Sequence, residues 1–182
     1  MAYFDWANGI EIFKALTPYI LALIVYLVWH KQKEKEVIAN EAKNSLAIIN
    51  NLLRIHSDLF TTFGELPFIF QLYEEHEIHD LRVGYTGKIL NYENKIDELV
   101  TSLDFLMEAT KNKKFEDFKD GLDIKLNDGL HTLKLMLKAH SGNRPVSDKE
   151  TYESDILNIN LLMIDEIMRL KSLVLSYALY RK

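Results

Sequence analysis

Apolar and polar positions follow two regimes along this chain. From Ala15 to Trp29 the residues are almost all apolar. With Ile12 and Phe13 ahead of it, this run approaches the ~20 residues that a helix needs to cross ~30 Å of hydrocarbon. Trp6, Phe13, Tyr19, Tyr26 and Trp29 stand near its two ends, where aromatic side chains sit at a membrane interface. After Trp29 the run gives way to helical periodicity. Ile38, Ala42, Leu46, Ile49, Leu53 and then His56 or Leu59 form one stripe, with no Gly or Pro between Lys31 and Asp58, so the apolar helix is expected to continue unbroken into this segment. The stretch Thr61–Pro67, containing Gly64, predicts a break, with Pro67 in the first turn of a short helix through Arg82. A second break is predicted at Gly84–Gly87. Tyr85, Ile89, Tyr92, Ile96, Leu99, Leu103 and Leu106 then step by four and three as a heptad seam. Lys111–Lys114 ends that helix, and Phe115, Phe118, Leu122, Leu126, Leu130, Leu133 and Leu137 stripe the next. The loop Ser141–Pro145 follows, and Ser147 with Glu150 forms a capping box ahead of a last stripe, Tyr152, Ile156, Ile159, Met163, Ile167, Leu170, Val174 and Tyr177. No strand alternation occurs. The expected fold class is all-α: a transmembrane helix within residues 1–30, continuing into a cytoplasmic bundle over 31–182 that has four long helices and one short one.

The flanks of the apolar run orient it. Lys31, Lys33 and Lys35 follow directly, while only Lys14 lies on the other side. By the positive-inside rule the bulk of the chain is cytoplasmic and Met1–Gly9 faces outward. A cleaved signal peptide calls for a basic start and a small-residue cleavage site; here the start carries Asp5 and Glu11, and the apolar core ends in Trp29-His30-Lys31. Composition narrows the chemistry. The chain has 182 residues, 7 Gly, 3 Pro and no Cys, which leaves long helices as the natural product and removes disulfides, zinc–thiolate sites and thiol catalysis. A net charge of −5 argues against a dominant basic nucleic-acid face.

Candidate chemistry is sparse. His76 and His79 are three residues apart, beside Glu75 and Asp80, and share a helix face. One isolated pair supplies too few ligands for a metal, and a solvated acidic face is the simpler reading. His56, His131 and His140 sit on or beside apolar stripes, where a lone histidine is more often packed than catalytic. No nucleophile elbow, P-loop or dinucleotide fingerprint is present. No enzymatic activity, cofactor, metal or direct nucleic-acid contact is expected. In the apolar run, Ala15, Pro18, Ala22 and Tyr26 recur at helical spacing, with Glu11 and Lys14 before them and His30 after. Small residues on one face allow close helix approach in a membrane, and ionisable groups there favour water or one another over lipid. These residues are the expected membrane or oligomer face; a plain anchor is the alternative.

An all-α cytoplasmic domain of this size raises the HEPN ribonucleases, whose signature is Arg followed by His after four to six residues. Arg54, Arg82, Arg144, Arg169 and Arg181 all lack such a histidine. Asn50 and Asn51 precede His56, and Lys134 precedes His140, at about that distance, but neither type reproduces the bidentate phosphate contact of a guanidinium. In overall layout the chain resembles the small accessory proteins of type VI-B CRISPR systems, which combine an amino-terminal span with a divergent HEPN-like helical domain. The resemblance covers the full length and rests on architecture. It implies a homo-oligomeric pore in the bacterial inner membrane, functionally linked to an RNA-guided RNA nuclease in antiphage defence. It transfers no catalytic residue. A single-span adaptor docking a cytoplasmic partner and a membrane-tethered ribonuclease are the competing readings.

Overall fold

The computed structural model describes residues 6–72, 75–139 and 149–179. Among them are four helices and no strand: α1 (Trp6–Leu72), α2 (Glu75–Thr110), α3 (Lys113–Ala139) and α4 (Lys149–Ala178). Each helix runs antiparallel to the next, and α4 closes the ring by packing on α1. One contiguous apolar core fills the space between them.

The heptad seam of α2 is the most completely buried stripe: Tyr92, Leu99, Leu103 and Leu106 are inaccessible, and Tyr85, Ile89 and Ile96 nearly so. The stripes on α3 and α4 also face the core, with Phe118, Ile159 and Tyr177 at its margin. α1 buries a wider arc than one stripe predicts. It meets both α2 and α4, so Ile48, Leu52, Ile55, Phe60, Phe63 and Leu66 are buried as well.

Two expected breaks do not occur. α1 runs through Thr61–Pro67 to Leu72, and α2 runs through Gly84–Gly87. The predicted short helix does not exist as a separate element; its residues are divided between the end of α1 and the start of α2. Proline inside a helix removes one donor and leaves the carbonyl four residues earlier open. For Pro67 that carbonyl belongs to Phe63, and the Tyr152 hydroxyl of α4 donates to it at 2.7 Å. The Tyr85 hydroxyl of α2 likewise donates to the Thr62 carbonyl at 3.1 Å. Neighbouring helices thus supply polar groups around the site where the α1 ladder is interrupted. In α2, burial of Tyr85 and Ile89 outweighs the helix penalty of Gly84 and Gly87, about 1 kcal/mol each. The expected loop at 141–145 and the Ser147 cap lie outside the described residues.

At the junction of α2 and α3 the predicted stop is present. Lys111 adopts φ 52° and its amide donates to the Met107 carbonyl at 2.8 Å, an αL helix ending. Asn112 then caps α3, its Oδ1 accepting from the Lys114 amide at 3.0 Å.

α3 and α4 approach closely at Gly129. A Cβ placed there would lie 2.4 Å from Met163 Sδ, far inside contact distance. The interface also holds Glu166, whose side chain is 4% exposed. It accepts from Lys125 at 2.5 Å and from Arg169 at 3.4 Å.

Candidate functional site

Two regions carry the residues that sequence reasoning singled out: the apolar stretch of α1 and the polar centre of the bundle.

α1 continues without interruption from the apolar stretch into the bundle. Its 67 residues span about 100 Å at 1.5 Å per residue. Among the described residues it is the one helix long and apolar enough to cross a membrane, and none of its most apolar stretch is buried against the rest of the chain. Leu23, for example, is 58% exposed. Glu11, Lys14, Ala15, Pro18, Ala22, Tyr26 and His30 are all exposed. At about 100° per residue, Glu11, Ala15, Pro18 and Ala22 fall within an arc of about 60°, while Lys14 and His30 flank it on opposite sides. Tyr26 stacks on His30 with ring centroids 6.0 Å apart and planes 11° from parallel. Pro18 leaves the Lys14 carbonyl without a helical donor. One residue before it, Thr17 Oγ1 donates to the Phe13 carbonyl at 2.7 Å.

Among the described residues, the buried polar side chains Ser45, His56, Ser102 and Glu166 belong to three small networks. The central one joins three helices. His56 of α1 is 2% exposed; its Nδ1 lies 3.0 Å from the Tyr92 hydroxyl of α2 and its Nε2 lies 2.7 Å from Asn160 Oδ1 of α4. A carbonyl oxygen only accepts, so Nε2 carries the proton, and Nδ1 accepts from Tyr92. Burial lowers the His56 pKa, partly opposed by the Asn160 bond. Burial also raises the Tyr92 pKa, so both groups are neutral near pH 7. Phe60 packs on the imidazole, ring centroids 4.5 Å apart. Both ring nitrogens are therefore engaged in bonds that hold α1, α2 and α4 in register. The result is a buried polar clamp between three helices.

A groove of about 420 Å³ runs beside the clamp between α1 and α4, lined by His56, Ser57, Thr61, Glu153, Leu157 and Asn160 among others. The second network lies nearer the apolar stretch. Ser45 and Ser102 face one another at 2.6 Å, and Ser102 Oγ donates to Glu41 Oε1 at 2.6 Å. The third is the Lys125–Glu166–Arg169 group, where Arg169 also lies over the Phe118 ring at 5.5 Å.

The other described histidines stand apart from the clamp. His79 and His131 are exposed on α2 and α3. The His76 side chain and His140 lie outside the described residues, so the His76/His79 pair and the Lys134/His140 spacing have no geometry here. Asn50 is exposed, and Asn51 Oδ1 accepts from Arg54 at 3.1 Å on the surface. The partners of His56 are instead Tyr92 and Asn160, 36 and 104 residues away. Among the described residues no group of three or more His, Asp or Glu is placed to hold a metal ion.

Sequence reasoning passed over Asn160, Glu166 and the hydroxyl of Tyr152. Pro67 does signal that Phe63 needs a donor, but nothing local says that the donor comes from 89 residues away.

No protein-family model, no curated protein and no solved structure matches the chain.

Proposed function

We propose that this chain is a single-span membrane protein that assembles as a homo-oligomer, forms a pore through its amino-terminal helix, and is controlled by its cytoplasmic bundle. The observation that carries the reading is the continuity of α1. One helix supplies both the exposed apolar stretch and a wall of the bundle core, with no flexible linker between them. A rotation or shift of α1 in the bundle is then transmitted to the membrane as a rigid-body movement. The lysines at 31, 33 and 35 put the bundle in the cytoplasm. The arc containing Ala15, Pro18 and Ala22 provides close helix contacts, and Glu11, Lys14 and His30 provide polar groups for a water path at its two ends. The likeness to type VI-B CRISPR accessory proteins gives the pore a setting, damage to the bacterial envelope in support of an RNA-guided RNA nuclease. The near-complete burial of His56 supports a bundle that does no chemistry of its own.

A single-span adaptor is the second reading. It draws support from Leu157, Leu161, Met168 and Leu175, which form an exposed apolar line along α4 beside the core stripe. Such a line on a bundle surface suits a partner helix.

The two readings separate in one experiment. Light scattering in detergent gives the subunit count, and a voltage-sensitive dye reports depolarisation in cells that express the chain with an activated defence partner. The pore reading expects a ring of many subunits and depolarisation that is lost in Ala15→Leu/Ala22→Leu, since Leu fills the helix contact without hindering insertion. A monomer, or a double variant that depolarises like the parent, leaves the adaptor.

A further inference from the structure

The fold carries three lysines to the end of the bundle from which the apolar stretch of α1 emerges. Ser45 on α1 and Ser102 on α2 meet at 2.6 Å and fix the register of two antiparallel helices. Nine residues further along α2 lies Lys111; nine residues back along α1 lies Glu36. The α2–α3 turn is therefore level with Glu36, seven residues from Trp29, or about 10 Å at 1.5 Å per residue. A headgroup layer ~5–7 Å thick lies outside the hydrocarbon on each side of a bilayer, and lysine ends on a long flexible stem. If α1 crosses a membrane, the ammonium groups of Lys111, Lys113 and Lys114 reach that layer beside Lys31 and Lys35.

Four other lysines of the bundle are paired with carboxylates of the same chain. Lys88 pairs with Asp58, Lys119 with Asp104, Lys125 with Glu166 and Lys134 with Glu93. Lys111, Lys113 and Lys114 are exposed and make no ion pair among the described residues. Glu36 is occupied by Lys33; Glu108, Glu116 and Asp117 stand within a helical turn of the three lysines but form no ion pair with them among the described residues. Lys113 and Lys114 also stand in the first turn of α3, where a helix favours negative charge, so their charge gives the isolated bundle nothing. The turn is held rigidly: the Asn112 amide donates to Thr110 Oγ1 at 3.3 Å, Asn112 Nδ2 donates to the Tyr177 hydroxyl at 2.6 Å, and Phe115 is buried with its ring centroid 5.2 Å from that of Tyr177.

We infer that this turn is a docking surface for anionic phospholipid headgroups of the same membrane that holds α1. The inference rests on the membrane-spanning reading and adds a second point of attachment to it. With the span alone, the bundle is free to tilt about one helix. With the turn seated on phosphates, its orientation is fixed, and the membrane's anionic lipid content becomes an input to the position of α1.

The chain has no native cysteine, which allows single-site labelling of the full-length protein. Glu116→Cys places a dye beside the turn and Leu135→Cys places one far along α3. Both proteins are reconstituted in nanodiscs of phosphatidylcholine alone or mixed with phosphatidylglycerol, with an acceptor on the lipid headgroups. Energy transfer from position 116 is expected to rise with phosphatidylglycerol and to fall with added salt, while position 135 stays low. In the Lys111→Gln/Lys113→Gln/Lys114→Gln variant the docked-to-undocked ratio in anionic discs is expected to drop on the order of fivefold per lysine. Transfer from 116 that ignores lipid charge and salt overturns the docking surface, and those arms use unaltered lysines, so a misfolded triple variant does not blur the answer. A turn indifferent to lipid but shielded by added single-stranded RNA overturns it in favour of nucleic-acid contact. Carbonate extraction of the parent from liposomes tests the underlying reading separately: a protein that washes off never spanned the bilayer, whereas one that stays while its turn ignores lipid charge loses only the docking surface.

Discussion

Tyr152 donates its hydroxyl to a carbonyl that Pro67 leaves open in another helix, and this bond shows how single polar atoms matter inside an apolar bundle. A buried acceptor left unsatisfied costs about 1–3 kcal/mol. Tyr152→Phe keeps the ring and removes the donor, so it should destabilise the protein by that amount, read as a lower denaturant midpoint in detergent. An unchanged midpoint would mean that water or another donor reaches the Phe63 carbonyl. His56 adds a pH dependence. Burial holds its folded pKa below the ordinary 6.5, so the unfolded chain takes up the proton first. Its contribution is complete above pH 6.5 and is lost as the pH falls from there through the lower folded value. The melting temperature should therefore drop between about pH 7 and pH 5, and His56→Gln should flatten that drop while lowering the melting temperature at pH 7. A parent and a variant with parallel pH profiles would assign the effect to other groups.

Helix pairing follows from seams whose members are nearly all inaccessible. Leu99 is fully buried in α2, and Leu99→Ala should cost about 2–5 kcal/mol by thermal or chemical unfolding. The α3–α4 pair comes close at one point, where Gly129 leaves room for Met163. Gly129→Ala should destabilise by about 1–3 kcal/mol through overpacking, despite alanine's better helix propensity. Met163→Ala in the same chain should recover part of that loss, measured as a coupling energy in a double-mutant cycle; strict additivity would show that the helices move apart freely. Helix existence and core faces were legible in the sequence because each stripe keeps its period over several turns. The breaks at 61–67 and 84–87 were misjudged because Gly64, Pro67, Gly84 and Gly87 are local signals, whereas their outcome depends on Tyr152, Tyr85 and the core around them.

At the scale of the whole molecule, the long α1 helix couples an exposed apolar stretch to the bundle. Protease added outside intact cells should spare residues 31–182, given the basic flank after Trp29, and cleavage should appear only once the membrane is opened. Degradation of the bundle in intact cells would reverse the orientation. The proposed function and the lysine turn both depend on this arrangement, since only an inserted α1 brings Lys111, Lys113 and Lys114 to a bilayer.

The order of residues by itself determined the apolar stretch, its basic flank, the helical faces and the lack of thiol chemistry, because each of these is a property of neighbours within a few turns. It also placed Glu11, Ala15, Pro18 and Ala22 on one arc of the helix, which follows from helical geometry alone. The tertiary structure decided what distant residues do to one another. It joined His56 to Tyr92 and Asn160 as a closed polar clamp, carried α1 past Pro67 on a hydroxyl from α4, and set the α2–α3 turn level with Glu36. The physical reason is the same in each case: hydrogen-bond satisfaction and helix register are fixed by partners tens of residues away, and no local period records them.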